Sequence, residues 1–473
     1  MSGAAPPELS RVLAALASGR ERAVEELVAL ARIPSVSAAG FDPREVARSA
    51  AAVAQLCRDA GLEHVEIVTL EGAHPYVIAD WLHAGAAAPT VLLYAHHDVQ
   101  PPGRLDRWQT PAFEPTIRED GRLYGRGVVD DKAGFLLHLA ALRAWLEATG
   151  SLPLNLKFVV EGEEEIGSEH LGDFLALHRE RLAADVIVLS DTGNLETGLP
   201  SITTSLRGLV AVDVTVATLD HPLHSGFFGG PLPDAATSLS RLLARLVDER
   251  GEIAVPGIAD DVPPLSEAEH AALLALPYDE ASYRDASGLL PSSRVVGDPA
   301  RTVHERTWLR PSLAVTALEG MPMQEAANQL MAEAHARVGV RIAPGQDPAR
   351  VADCLVAFLE RDPPFGARVA TKVTCAVPGW RTEPEGPAFD AARRALGEAF
   401  GRPAVTIGCG ATIPFVGPFA EAFGGAPALL LGLEDPPCNA HGENESLDLD
   451  DFHKAAHASA LLLFELARIV PGA

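Results

Sequence analysis

The stretch Thr90-Val-Leu-Leu-Tyr-Ala-His-His-Asp98 begins as an uninterrupted apolar run and ends in three polar side chains. An apolar run without alternation is typical of a strand that is buried on both faces of a parallel sheet. Ligands of open α/β sheets bind at the carboxyl ends of the strands, which is where His96, His97 and Asp98 lie. We therefore expect an α/β domain whose functional site begins at His96.

Three further apolar runs, at residues 154–160, 185–190 and 427–432, are also followed by polar groups. These groups are Glu161-Gly-Glu-Glu-Glu165, Asp191 and Asn439-Ala-His441. Because parallel strands end at the same edge of a sheet, the four polar groups are predicted to converge on one site. Amphipathic stretches separate the runs, beginning with a helical pattern from Leu13 to Leu30, as expected of an α/β fold.

The pattern changes between residues 207 and 381. The segments Leu209–Val216 and Val338–Ile342 alternate apolar and polar residues, as half-exposed antiparallel strands do. Two helical stretches, near 238–247 and 351–359, keep one face apolar. We predict a catalytic domain in two parts, residues 1–206 and 382–473, with an α+β domain of residues 207–381 inserted between them.

Charge and composition narrow the possible partners. The net charge of -26 would repel nucleic acid and anionic lipid surfaces, whereas metal cations and small molecules remain as ligands. No basic region precedes an apolar core at the N-terminus, and no apolar run approaches the roughly 20 residues of a membrane span. The five cysteines are scattered without a C-x-x-C pair. We therefore expect a soluble cytoplasmic protein that binds neither nucleic acid nor membrane.

The polar groups contain the residue types that bind divalent metal ions in hydrolases. His96 and Asp98 lie two residues apart, on the same side of an extended segment, so Asp98 could orient the imidazole of His96. By the same alternation, His97 and Asp131 are expected to point away from the ions that their neighbours bind. Each residue taken singly is an ordinary loop or turn residue. The combination predicts a two-metal hydrolytic site.

Five motifs occur in the order found in one enzyme family. They are Tyr94-Ala-His-His-Asp-Val-Gln-Pro-Pro102, Leu123-Tyr-Gly-Arg-Gly-Val-Val-Asp-Asp-Lys132, Glu161-Gly-Glu-Glu-Glu-Ile-Gly-Ser168, Ser190-Asp191 and Asn439-Ala-His441. Together they resemble the zinc exopeptidase family that includes aminoacylase, succinyl-diaminopimelate desuccinylase, glutamate carboxypeptidase and carnosinase-type dipeptidases. The resemblance covers nearly the whole chain. It implies a phosphorylase/hydrolase-like catalytic domain with a mostly parallel sheet and an inserted lid or dimerisation domain.

The resemblance also implies a role for each candidate residue of the metal site. The implied ligands are His96 and Asp191 for one ion, Glu165 and His441 for the other, and Asp130 as a bridge between them. Asp98 would lie behind His96, and Glu164 would act as general base. Sites of nitrogen and oxygen ligands suit Zn²⁺, and Mn²⁺ or Co²⁺ could replace it.

Residues of the inserted domain are implied to bind substrate. His224, in Leu223-His-Ser-Gly-Phe-Phe-Gly-Gly230, resembles a histidine of the dipeptidase branch that one subunit of a homodimer donates to the oxyanion of the other. Arg341 and Thr412 resemble residues that hold the substrate carboxylate. Gly408-Cys409 stands where the family commonly has Arg-Glu, which leaves the identity of the substrate open.

The predicted function is hydrolysis of dipeptides, or of other small peptides with a free carboxylate, by a dimetal metallopeptidase that forms a homodimer through the inserted domain. An N-acyl-amino-acid deacylase or a carboxypeptidase would use the same machinery with a different pocket. An alternative of another class is a metal-binding scaffold without catalysis. Glu164 argues against the scaffold, because a pure binding protein needs no additional carboxylate beside its ligands.

Overall fold

The computed structural model of the protein describes residues 6–413, 416–417, 419 and 423–469. The described α-helices are α1 (Pro7–Ser18), α2 (Arg20–Ala31), α3 (Pro43–Asp59), α4 (Lys132–Thr149), α5 (Leu171–Leu182), α6 (Ser225–Phe228), α7 (Ala235–Leu243), α8 (Glu267–Ala275), α9 (Glu280–Ser287), α10 (Val303–Trp308), α11 (Pro348–Glu360), α12 (Pro387–Phe400) and α13 (Leu449–Leu466).

The described strands are β1 (Glu63–Val68), β2 (Tyr76–Trp81), β3 (Thr90–His96), β4 (Thr116–Ile117), β5 (Arg122–Tyr124), β6 (Asn155–Glu161), β7 (Val186–Gly193), β8 (Ser201–Leu206), β9 (Gly208–Ala217), β10 (Leu223–His224), β11 (Ser312–Glu319), β12 (Gln329–Leu330), β13 (Glu333–Ile342), β14 (Arg368–Val377), β15 (Trp380–Arg381), β16 (Val405–Cys409), β17 (Ala428–Glu434) and β18 (Ser446–Asp448).

The contacts of the chain divide it into two compact units. Unit 1 comprises Met1–Thr204, Glu383–Ile407 and Phe415–Ala473, and unit 2 comprises Ser205–Thr382 and Gly408–Pro414. The domain boundaries predicted from the sequence place the loop that follows β16 in the catalytic domain. Its contacts group it with unit 2, because the backbone N–H of Arg207 donates to the carbonyls of Cys409 and Ala411.

Unit 1 is built on a sheet with the strand order β1-β2-β6-β3-β7-β17-β8. Its four central strands, from β6 to β17, are parallel to one another, and the outer pairs are antiparallel. Every residue of β3 after Thr90 is buried, as the unbroken apolar run predicts. The predicted fold class, an α/β fold with a mostly parallel central sheet, is confirmed.

Helices α1, α2, α4, α12 and α13 pack into the same apolar core as this sheet. The helical pattern from Leu13 to Leu30, read as continuous in the sequence, forms two helices that meet at Gly19. Glycine lowers the stability of a helix interior, and here its N–H caps α1 by donating to the carbonyls of Ala15 and Leu16.

Unit 2 contains an antiparallel sheet with the order β11-β13-β9-β14. Helices α7 and α11 share one apolar core with it. Strand β9 is central and mostly buried, so its alternation is weaker than that of an edge strand. The outer strand β11 has an exposed surface along nearly its whole length. None of the described helices in either unit is long and apolar enough to cross a bilayer.

Candidate metal centre

Two histidines face the two oxygens of one carboxylate. The Nε2 atom of His96 lies 3.0 Å from Oδ1 of Asp130, and Nε2 of His441 lies 2.9 Å from Oδ2 of the same residue. Asp191 approaches the first histidine at 3.6 Å, and Glu165 approaches the second at 3.2 Å. The structure therefore brings the five proposed ligands together as two sets that share Asp130.

The parallel strands of unit 1 account for this convergence. His96 ends β3 directly beside Glu161, the last residue of β6, and Asp191 lies near the carboxyl end of β7. His441 belongs to the loop after β17, which is parallel to β7. Strand ends that share one sheet edge thus deliver ligands from distant parts of the sequence.

Asp131 and Glu434 extend the cluster beyond the predicted ligands. Ligand atoms of His96, Asp131 and Asp191 lie within 4.8 Å of one another. The same is true of ligand atoms of Asp130, Asp191 and Glu434. The expectation that Asp131 points away is wrong, because its segment is not extended. Asp131 directly precedes α4 with φ -126° and ψ 23°, so strand alternation does not govern its side chain.

His97 lies outside these groups. Its ring is fully buried, and Nε2 lies 3.0 Å from the carbonyl oxygen of Pro75. Burial lowers the pKa of His97 to about 4, so the ring is neutral near pH 7 and Nε2 can donate to that carbonyl.

The electrostatics of the cluster fit a metal site. Burial raises the pKa of Asp191, and burial together with the charge of Asp130 raises the pKa of Glu165 to about 7. Hydrogen bonds to Asp130 and Glu165 raise the pKa of His441 to about 11. Nε2 of His96 is buried, and although Oδ1 of Asp130 lies 3.0 Å away, it makes no hydrogen bond of good geometry with the described residues. A buried excess of carboxylates around such a nitrogen matches the nitrogen and oxygen ligands of divalent cations.

Glu164 lies next to this cluster. It begins the 3₁₀ turn Glu164–Ile166, and burial raises the pKa of its carboxyl well above the usual range. The backbone N–H groups of Glu164 and Glu165 donate to Oδ1 and Oδ2 of Asp98, at 3.2 and 3.1 Å. Asp98 therefore fixes the turn that carries both glutamates.

Asp98 also contacts His96, although its backbone lies closer than its side chain. Nδ1 of His96 is 3.1 Å from the carbonyl oxygen of Asp98 and 3.4 Å from Oδ1. A hydrogen bond from Nδ1–H would leave Nε2 as the coordinating nitrogen.

A buried ion pair that the sequence analysis missed holds the loop of His441. Arg126 donates to Oε2 of Glu445 at 2.6 Å and to the carbonyl oxygen of His441 at 3.0 Å. The other oxygen of Glu445 accepts from the N–H of Val129. Arg126 stands within a quoted motif, but its partner is more than 300 residues away, so spacing alone could not pair the two.

The predicted substrate residues lie in unit 2. Arg341, at the end of β13, donates from Nη1 to Oγ1 of Thr412 at 2.5 Å. His224 is exposed, and its Nδ1 accepts from the N–H of Gly226 at 3.0 Å. An accepting Nδ1 in a neutral ring leaves the proton on Nε2, which can then donate to a ligand.

The fold of unit 1 and its cluster of carboxylates and histidines are typical of one class of protein, the metal-dependent hydrolases. Comparison with known proteins makes the class specific. Residues 92–465 match the family described as Peptidase family M20/M25/M40. The chain belongs to this family of metallopeptidases, and the resemblance found in the sequence is confirmed.

Several relatives of the chain are dipeptidases. It is 34% identical over 378 residues to the cysteinylglycine-S-conjugate dipeptidase of Corynebacterium striatum, covering 80% of this chain and 81% of that protein. Among solved structures, human carnosine dipeptidase 1 has a TM-score of 0.85 at 28% identity and covers 98% of this chain and 100% of its own. The dipeptidase Dug1p from Saccharomyces cerevisiae has the same TM-score at 25% identity, covering 98% and 99%.

Proposed function

We propose that the protein is a dimetal dipeptidase that cleaves small peptides with a free C-terminal carboxylate. The observation that carries the proposal is the position of Asp130, whose two oxygens face His96 and His441, with Glu164 beside the two sets as an additional carboxylate. A carboxylate shared between two ligand sets is what a two-metal hydrolase needs, and a separate carboxylate can move protons.

In the proposed reaction, His96, Asp191, Asp130, Glu165 and His441 would hold two divalent ions. Such ions supply Lewis-acid activation of the scissile carbonyl and of water. Glu164 takes a proton from the attacking water and gives it to the departing amine. Burial raises the pKa of Glu164 above the usual range, which favours uptake of a proton from water.

Asp131 and Glu434 are additional candidate ligands, since both fall within the metal-binding groups. We propose Zn²⁺ as the ion, with Mn²⁺ or Co²⁺ as replacements, because the ligand atoms are nitrogen and oxygen.

The proposal also assigns roles to three residues of unit 2. Arg341 and Thr412 would bind the substrate carboxylate, and their direct hydrogen bond supports a shared role. His224 would donate from Nε2 to the oxyanion of a partner chain, which makes the enzyme a homodimer through the inserted domain. A cytoplasmic location is proposed from the cysteines, which are scattered along the chain and form no disulfide among the described residues.

Two matched substitutions test the metal chemistry. Glu164→Gln should keep the bound metal but lower kcat by several orders of magnitude, because it removes only the proton acceptor. Glu165→Gln should lose metal, because it removes a ligand. Metal content by mass spectrometry and turnover of a dipeptide would be measured on both. Wild-type activity that survives complete chelation, or equal metal loss in the two variants, would contradict the proposal.

A substrate panel separates the related activities. Dipeptides, longer peptides, and N-acetyl and N-succinyl amino acids would be compared by kcat/KM. A dipeptidase should favour dipeptides with a free carboxylate over their amides, since the amide loses a charged partner for Arg341. Preference for acylated amino acids would indicate a deacylase, and preference for longer peptides a carboxypeptidase.

A further inference from the structure

Two arginines of unit 2 converge on the same small region. Arg341 lies opposite Ser312 in the ladder between β13 and β11. The hydroxyl oxygen of Ser312 in turn accepts from Nη1 of Arg207 at 2.8 Å. Arg207 also donates from Nε to the carbonyl oxygen of Gly410 at 3.0 Å, in the loop whose Thr412 contacts Arg341. The two guanidinium groups therefore share one strand end and one loop.

Neither arginine has an acidic partner among the described residues. The ion pairs of that part of the chain include no carboxylate bound to Arg207 or Arg341. Arg207 is only 8% exposed, and burial together with the charge of Arg341 lowers its pKa to about 10. Two half-buried or buried cations that no described carboxylate neutralises are costly, although a chain with net charge -26 has many carboxylates.

Arg207 keeps part of its hydrogen-bonding capacity unused. Its Nε and Nη1 atoms have partners, whereas no hydrogen bond of Nη2 is found among the described residues. Gly410 lets the loop lie against this guanidinium, because a Cβ at that position would stand 3.0 Å from Nη2 and 3.0 Å from the carbonyl oxygen of Thr307. Nη2 therefore keeps a donor that no hydrogen bond of the described residues uses.

We propose that Arg207 and Arg341 form a subsite for two carboxylates, so that the preferred substrates are dipeptides whose C-terminal residue is aspartate or glutamate. The inference rests on the proposed function and deepens it. Arg341 takes the main-chain carboxylate, and Nη2 of Arg207 takes the side-chain carboxylate. An anion at each guanidinium removes the repulsion between them, which a neutral C-terminal residue does not.

The first test compares acidic substrates with their neutral isosteres on the wild-type enzyme. The ratio of kcat/KM for Ala-Glu to that for Ala-Gln, at fixed ionic strength of physiological magnitude, should be about tenfold or more. Ala-Asp and Ala-Asn provide a second pair. Ratios near or below one in both pairs would overturn the subsite, while measurable hydrolysis of the neutral dipeptides would leave the proposed function intact.

Substitution of Arg207 supplies the matched comparison. Arg207→Gln should bring the Ala-Glu to Ala-Gln ratio close to one, whereas Arg337→Gln should leave it unchanged, because Arg337 is paired with Asp213 in the same unit. A structural role alone would lower both rates together and keep the ratio. If Arg207→Gln fails to fold, Arg207→Lys retains a cation without the forked donors, and its ratio should fall to an intermediate value.

Direct binding separates failure of the subsite from failure of the enzymatic proposal. Calorimetric titration of the holoenzyme with free glutamate and free glutamine should give about tenfold tighter binding of glutamate. Equal affinities would contradict the subsite. Tighter binding of glutamate by a protein that cleaves no dipeptide would keep the anion subsite and refute the dipeptidase.

Discussion

Asp98 has no direct place among the ligand sets, yet it links three segments at the metal centre. Its oxygens accept from the N–H groups of Glu164 and Glu165, and Oδ2 also accepts from Oγ of Ser37 at 2.6 Å. The side chain is fully buried, so every acceptor position matters. A change at Asp98 should therefore reach the metal through the turn that carries Glu165.

We predict that Asp98→Asn weakens metal binding by about 10- to 100-fold, because an amide nitrogen cannot accept the hydrogen bonds that one carboxylate oxygen receives. Competition with a fluorescent chelator would measure the affinity. Ser37→Ala removes only one of the donors and should have a smaller effect. Unchanged affinity in Asp98→Asn would mean that the turn keeps its geometry without this carboxylate.

The sequence predicted site residues at the ends of strands better than site residues whose direction depends on local backbone angles. His96 and Asp191 follow long apolar runs, so the rule of converging strand ends was enough to bring them together. Glu434 ends β17 and could have been found by the same rule, had the strand been extended by two residues. Asp131 could not have been found by this rule, because the backbone angles just before α4 determine where its side chain points.

At the scale of elements, the start of α4 is joined to the end of α2. The ammonium group of Lys132 is fully buried and donates to the carbonyl oxygens of Leu30 and Ile33, at 3.2 and 2.9 Å. These carbonyls lie just at and beyond the end of α2, where helical hydrogen bonding stops. Spacing in the sequence cannot assign this role to Lys132, because its partners are backbone atoms about a hundred residues away.

Lys132→Met should destabilise the protein by about 1 kcal/mol for each hydrogen bond that is lost, because the carbonyl oxygens of Leu30 and Ile33 still accept from the N–H groups of Ile33 and Ser35. Urea unfolding would give the difference in the free energy of unfolding. Lys157→Met is a suitable control, because Lys157 donates to the carbonyl oxygen of Ala183 at a half-buried position where water can replace it. Equal losses of unfolding free energy in the two variants would show that the burial of Lys132 does not increase the contribution of its hydrogen bonds to stability.

At the scale of the whole molecule, the described part of the chain does not by itself assign His224 to any active site. The residue is exposed, stands on the short strand β10 and packs its ring against Phe227. A two-fold symmetric dimer would deliver one such histidine to each active site. Donation of His224 from one subunit to the other therefore requires a dimer, and the dimer can be tested.

Mixing two inactive variants provides that test. In a dimer of a Glu164→Gln chain and a His224→Ala chain, donation across the interface leaves one complete active site. Random reassortment makes half of the dimers mixed, so activity should recover to about a quarter of the wild-type value. If His224 serves its own chain, every site carries one defect, and activity stays absent after subunit exchange has been verified.

The placement of the ligands along the chain has a consequence for biosynthesis. His96 and His441 are 345 residues apart in the sequence (441 − 96), and β17 joins the sheet beside β7 only after residues 428–434 have been made. Pairing between such distant strands is slow to form. The ribosome must therefore release the chain as far as His441 before both ligand sets exist, and a translation product that stops short of His441 carries an incomplete second set.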